Sequence, residues 1–68
     1  MGEINRLNYP ELDKIMWDFH NQTVSAEQAF QIYEQRWRYV DEQYMKPNER
    51  NLLKELIKHY GNGVFMAA

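Results

Sequence analysis

The clearest helical pattern in the chain lies in residues 24–44, which read VSAEQAFQIYEQRWRYVDEQY. Ser25 and Gln28 fit a capping box, in which the serine oxygen accepts a hydrogen bond from the Gln28 amide and the glutamine side chain reaches back. Val24 and Ala29 stand at the two positions of a hydrophobic staple, which fixes how a chain enters a helix. These features predict that a helix begins at Ser25.

Apolar side chains in this stretch recur on one face of a helix. With 100° between successive residues, the face consists of Ala26, Ala29, Phe30, Tyr33, Trp37, Val40 and Tyr44. Ile32 and Tyr39 form a second, narrower apolar strip beside this face. A helix that packs between two neighbours needs two such surfaces, so the pattern predicts a middle helix over residues 25–45.

Two further helical segments flank the middle one. Asn8 and Pro10 are typical of a helix start, because asparagine caps free amides and proline fits the first turn. The apolar spacing that follows predicts a first helix over residues 9–20. Pro47 disfavours helical geometry at the residue before it and is expected to open a third helix over residues 47–60.

The third segment has a clear apolar stripe and a clear end. The stripe consists of Leu52, Leu53, Leu56, Ile57 and Tyr60. Gly61 stands where a left-handed residue often closes a helix, and residues 64–66 are expected to fold back over the helix end. The predicted fold class is therefore all-α: a small three-helix bundle with a short C-terminal tail packing back, in a single helical domain over residues 1–68.

Length and composition exclude several classes of function. The chain has 68 residues, no cysteine and a formal net charge of -2, so it is too short for most enzyme scaffolds and has no disulfide or thiolate metal site. No apolar run approaches the ~20 residues of a membrane span, and the first residues lack the apolar core of a secretory signal. We expect a cytoplasmic protein that makes no membrane contact.

Residue types that perform catalysis are scarce. The chain has one serine, Ser25, one threonine, Thr23, and no cysteine, so no arrangement of nucleophile and base is expected. His20 and His59 lie near the ends of different predicted helices, where the helix dipole favours a positive charge. The sequence therefore predicts no enzyme, no metal site and no cofactor.

The third predicted helix carries a basic flank. Arg50, Lys54 and Lys58 recur every four residues away from the leucine stripe, with Asn51 close by. The recognition helix of a helix-turn-helix protein presents such a face to DNA. Nearby glutamates dilute the positive charge, however, and the whole chain is acidic, whereas nucleic-acid-binding domains are usually basic. DNA binding through these four residues is therefore the alternative hypothesis.

Aromatic residues make up 15% of the chain, which is a large share for its length. Trp17 projects about 150° away from the centre of the apolar face of the first helix. Such surplus aromatic residues either pack under the third helix or the tail, or form a binding surface of the type enriched at interaction hot spots. The leading hypothesis is a protein-interaction or regulatory module that docks on another protein, or on a second copy of itself, through Trp17, Ile32, Tyr39 and Phe65, with Trp37 beside them.

Overall fold

The computed structural model describes residues 2–67 as three packed helices and a short two-stranded ribbon. The helices are α1 (Pro10–Ile15), α2 (Ala26–Arg36) and α3 (Pro47–Tyr60). The strands are β1 (Ile4–Asn5) and β2 (Thr23–Val24), which pair antiparallel with Ile4 opposite Val24 and Asn5 opposite Thr23. Single turns of 3-10 helix lie at Arg6–Asn8, Trp37–Tyr39 and Glu42–Tyr44. The predicted three-helix fold is confirmed.

The helices share one apolar core. Its fully buried apolar or aromatic side chains include Leu12, Ile15, Met16, Tyr33 and Leu56. Helix α2 contacts both α1 and α3, as expected for a helix with two apolar surfaces. Ile32 of the narrower strip is only 4% exposed. It packs in the core because a middle helix is covered on both sides, so it is not available at the surface.

Helix α2 begins where the sequence predicts but ends much earlier. The Gln28 amide donates to the Ser25 hydroxyl oxygen at 3.1 Å, which confirms the cap. The last residue of α2 is Arg36, not residue 45. The predicted end is wrong: the backbone leaves the helical region at Arg36 (φ −120°, ψ 21°), and further on the Asp41 amide donates to the Glu11 carboxylate at 2.7 Å.

Residues 37–45 form an irregular segment in place of the predicted last turns of α2. Arg50 of α3 donates to the backbone oxygens of Met45 at 3.2 Å and of Glu42 at 2.5 Å. Tyr44 belongs to the predicted apolar face but is 72% exposed. Hydrogen bonds with side chains of α1 and α3, together with the backbone bonds of two 3-10 turns, thus replace the regular α-helical bonds of this segment.

A buried glutamate of α3 caps the start of α1. Pro10 has no amide hydrogen, so the first free amides of α1 belong to Glu11 and Leu12. These amides donate to the two carboxylate oxygens of Glu49 at 3.1 and 2.8 Å, and the Tyr33 hydroxyl donates to Glu49 Oε2 at 2.6 Å. One fully buried side chain therefore joins all three helices.

The end of α1 is also fixed by a distant side chain. The Arg6 guanidinium donates to the carbonyl oxygens of Asp13, Met16 and Phe19 at 3.0, 2.9 and 2.9 Å. The last carbonyls of a helix need such donors from outside the helix. The predicted extension of this helix to residue 20 is wrong because Arg6 satisfies these carbonyls, and α1 stops at Ile15.

The C-terminal tail packs back on the rest of the molecule, as predicted, and its contacts are with α2 and Trp37. The Phe65 ring meets the Trp37 ring edge-on with centroids 5.0 Å apart, and it lies 6.1 Å from the Phe30 ring. The backbone amide of Met66 donates to a carboxylate oxygen of Glu34 at 3.2 Å. Phe65 is half-buried by these contacts.

The turn between α3 and the tail differs from the prediction in its conformation. Gly61 has φ −109°, so it is not left-handed, whereas Asn62 and Gly63 have φ values of 51° and 83°. Glycine is needed at residue 61 for space, because a Cβ atom there would lie 2.2 Å from the carbonyl oxygen of Val64. The left-handed conformation expected at Gly61 therefore occurs at the next two residues.

Candidate functional site

An exposed aromatic and basic cluster joins the chain after α1 to the end of α2. It consists of Trp17, Arg36, Arg38 and Tyr39, and is called the Trp17–Tyr39 patch below. Trp17 is 59% exposed and Tyr39 is 52% exposed. Their rings meet edge to face with centroids 5.3 Å apart. The structure thus brings together two of the residues that the sequence proposes for an interface.

Arg36 fixes one side of this patch. Its guanidinium carbon lies 4.3 Å from the centroid of the Trp17 ring, a distance typical of a cation–π contact. Its Nη1 donates to the Ile15 carbonyl oxygen at 2.9 Å, and its two Nη atoms donate to the two carboxylate oxygens of Asp18 at 2.6 and 3.0 Å. Bidentate bonding of this type holds the guanidinium plane in one orientation.

The Asp18–Arg36 pair stays charged over a wide pH range. The hydrogen bond from Arg36 lowers the pKa of the Asp18 carboxyl below its ordinary value, and the same bond raises the pKa of Arg36. The carboxylate is therefore ionised at any neutral or mildly acidic pH. Trp17 consequently rests on a guanidinium whose charge and orientation are both fixed.

The patch also carries a positive charge that no residue between 2 and 67 neutralises. Asp18 balances Arg36, whereas Arg38 forms no ion pair with any other residue between 2 and 67. The Arg38 guanidinium carbon lies 5.9 Å from the centroid of the Tyr39 ring. A cation beside exposed aromatic rings suits a partner surface that offers a carboxylate next to an apolar side chain.

Two of the proposed interface residues lie elsewhere in the molecule. Ile32 is in the core, and Phe65 packs on Trp37 and Phe30, as described above. Trp37 is itself half-buried between the Tyr33 and Phe65 rings, with centroid distances of 6.5 and 5.0 Å. These side chains hold α2 and the tail together and are not members of the patch.

Sequence reasoning missed the two arginines of the patch. Arg36 and Arg38 alternate with Trp37 and Tyr39 along the chain. Arginine is enriched at interaction hot spots together with tryptophan and tyrosine, so this alternation was the available signal. It was obscured because a helix continuing to residue 45 places these residues on several different faces.

The basic flank of α3 is only partly free. Arg50 is held by the backbone oxygens of residues 42 and 45, as described above. Asn51, Lys54 and Lys58 are exposed. Glu55 also lies on the exposed side of α3, so the flank is of mixed charge. The structure places the four proposed DNA-binding residues on one helix, but it gives Arg50 a structural role.

The buried carboxylates of Glu11 and Glu49 serve the fold. Burial alone raises the pKa of Glu11, but hydrogen bonds from the Lys14 side chain and the Asp41 amide, with the Lys14 charge, bring the pKa below its ordinary value. Burial and the adjacent Glu49 carboxylate raise the pKa of the Tyr33 phenol, so its hydroxyl stays protonated and donates. Because donors of the chain itself occupy Glu49, this carboxylate is not available to a substrate.

The core position of Glu49 also escaped the sequence analysis. Glutamate in the first turn of a helix is ordinarily explained by the helix dipole alone. Glu49 lies three residues before Leu52 and seven before Leu56, which places it on the same face as these buried leucines. That spacing was the signal that Glu49 is directed into the core.

No family model, no curated protein and no solved structure matches this chain. None of the helices within residues 2–67 combines the length and the apolar character needed to cross a bilayer. Over the same residues, no group of three or more histidine, aspartate or glutamate side chains is placed to hold a metal ion. The Trp17–Tyr39 patch is therefore the basis for inferring a function.

Proposed function

We propose that this chain is a small protein-interaction module that docks on a partner protein through the Trp17–Tyr39 patch and has no catalytic chemistry of its own. The exposed edge-to-face pair of Trp17 and Tyr39, supported by the fixed guanidinium of Arg36, is the observation that carries the proposal. Tryptophan, tyrosine and arginine are the residue types most enriched at hot spots. A patch that is already ordered loses little conformational freedom on binding.

The partner we expect presents a carboxylate beside an apolar side chain. The open faces of Trp17 and Tyr39 offer apolar area, and the unpaired Arg38 offers a charge-assisted hydrogen bond. Such a bond at an interface adds orientation and specificity as well as affinity. The experiment must also distinguish this partner from a second copy of the chain bound to the patch.

Site-specific photocrosslinking in the native host tests this proposal. Benzoylphenylalanine replaces Tyr39 in one variant and Tyr44 in a control, because Tyr44 is 72% exposed but lies outside the patch. We expect one defined adduct from position 39, no adduct from position 44, and loss of the adduct when Arg38→Glu or Trp17→Ala is added. The identified partner should bear an acidic residue at the crosslinked surface.

The affinity for the purified partner gives a quantitative check. Trp17→Ala should weaken binding by about 30-fold, which corresponds to a hot-spot loss of ~2 kcal/mol. An adduct of twice the mass of the chain would identify a second copy as the occupant. Absence of an adduct at position 39, or equal adducts at positions 39 and 44, would refute the proposed surface.

DNA binding through Arg50, Asn51, Lys54 and Lys58 has less support. The chain as a whole is acidic, and Glu55 on the exposed side of α3 makes this flank one of mixed charge. A salt titration of binding to mixed-sequence duplex DNA separates the two hypotheses, because phosphate contacts give a steep salt dependence. Salt-sensitive binding that Lys54→Gln with Lys58→Gln abolishes would favour DNA over a protein partner.

A further inference from the structure

A pocket of about 270 Å³ opens between α3 and the irregular segment of residues 37–45. Its apolar lining consists of Trp37, Met45, Leu53 and Ile57, and its charged lining of Glu42, Arg50 and Lys54. Four of these residues lie on α3 at the spacing of one helix face, namely Arg50, Leu53, Lys54 and Ile57. Leu53 and Ile57 belong to the predicted buried stripe, but both are only half-buried here, so apolar surface remains open to solvent.

The pocket exists because α2 stops at Arg36. The apolar pattern favours continuation of that helix to residue 45. Hydrogen bonds that involve the backbone of Asp41, Glu42 and Met45 instead hold residues 37–45 as an irregular segment. Departures from local sequence preference are expected chiefly at functional or strained sites. The same residue that holds the segment in place, Arg50, also lines the pocket.

The charged lining of the pocket has an excess of positive charge. Arg50 and Lys54 form no ion pair with other residues in the part of the chain from 2 to 67. Two of the five N–H donors of Arg50 are used by backbone oxygens, which fixes the guanidinium and leaves further donors. Glu42 supplies one negative charge against these two positive ones.

From these observations we infer that the pocket binds a small apolar carboxylate, with its hydrocarbon part against Trp37, Leu53 and Ile57 and its carboxylate at Lys54 and Arg50. A volume of about 270 Å³ lies just below the ~300–1,000 Å³ of sites for drug-sized ligands, so a smaller molecule fits the pocket. An aliphatic acid with about ten non-hydrogen atoms, such as octanoate, is therefore a suitable probe. This site is separate from the Trp17–Tyr39 patch, and its test does not depend on the proposed partner.

Titration of the isotope-labelled chain with octanoate, followed by amide and side-chain NMR shifts, tests the inference. Saturable shifts should concentrate at Trp37, Leu53 and Ile57, with a dissociation constant of about 1 mM, as ligand efficiency suggests for so small a ligand. Octylamine, which has the same length and the opposite charge, should bind about fivefold more weakly or not at all.

A charge reversal supplies the matched control. Lys54→Glu should weaken octanoate binding by about fivefold, whereas Lys58→Glu, one turn further along the same helix and outside the lining, should leave it unchanged. Equal binding of octanoate and octylamine, equal effects of the two charge reversals, or unsaturable shifts spread over the surface would each overturn the inference.

Discussion

The Glu49 network and the Trp17–Tyr39 patch have similar chemistry in opposite environments. The network joins the Glu49 carboxylate to Tyr33, and the patch joins the Arg36 guanidinium to Trp17. Three hydrogen bonds hold each of these two charged groups. Glu49 is 0% exposed, whereas Trp17 is 59% exposed. Burial makes the first cluster necessary for the fold, while exposure leaves the second free to contact another molecule.

The dielectric environment explains why the two clusters differ in energetic importance. A buried carboxylate is tolerated only where hydrogen bonds replace its lost hydration, and its removal leaves the donors around it unsatisfied. An exposed ion pair such as Asp18–Arg36 is screened by water and contributes little to stability.

Loss of the Glu49 carboxylate should have the largest effect on stability. Glu49→Ala leaves the amides of Glu11 and Leu12 and the Tyr33 hydroxyl without their acceptor, and should cost ~3–5 kcal/mol. Urea unfolding followed by circular dichroism measures this cost, which approaches the whole stability of a small domain. The exposed Glu55→Ala on the same helix is the control, with an expected change within about 0.5 kcal/mol. Equal costs for the two variants would contradict the role of Glu49.

Removal of one donor from the same network should have an intermediate effect. Tyr33→Phe deletes the hydroxyl that donates to Glu49 but leaves the two amide donors in place. The expected loss is about 2 kcal/mol, the range for a hydrogen bond to a charged acceptor. Tyr44→Phe, at a residue that is 72% exposed, should show no measurable change in the same unfolding experiment.

The cap of α2 should contribute less than the buried network. Ser25→Ala removes the acceptor for the Gln28 amide and should cost ~1 kcal/mol, whereas Ser25→Gly should cost clearly less. The two unfolding free energies are measured side by side at the same pH. Negligible losses in both variants would show that the serine cap is unimportant in this helix.

The smallest expected effect is the pH dependence from Asp18. Arg36 lowers the pKa of Asp18 in the folded protein. The ion pair therefore contributes fully to stability above the unfolded pKa of about 3.9, and this contribution is lost as the pH falls through the lower folded pKa. Asp18→Asn should flatten the acid side of the stability profile slightly. An unchanged profile for Asp18→Asn would mean that the ion pair adds nothing to stability.

Local sequence features determined some parts of the fold well. The bounds of α3 follow from Pro47 and the leucine spacing, and the start of α2 follows from Ser25. The end of α1 depends instead on hydrogen bonds that Arg6 donates, and the end of α2 on one that the Glu11 carboxylate accepts. These residues are distant in sequence from the backbone groups they bind, so a local pattern carries no sign of them.

Local sequence patterns also failed to predict the two-stranded ribbon and which residues form the Trp17–Tyr39 patch. Strands of two residues, such as Ile4–Asn5, are too short to show the alternation that indicates a strand. Trp17 and Tyr39 stood out because neither lies on the main apolar face of the helix predicted to contain it. Ile32 had the same property but is buried in the core, and only the packing of the whole chain distinguishes the two cases.

The unfolding free energy of Trp17→Ala tests most directly whether the fold is held by its buried network while the patch is left free. In the same urea experiment as Glu49→Ala, we expect Trp17→Ala to cost less than about 1.5 kcal/mol, since it loses only an exposed aromatic pair and a cation–π contact. The variant should keep the native circular dichroism spectrum. A cost equal to that of Glu49→Ala would show that Trp17 is part of what holds the fold, and would contradict this account.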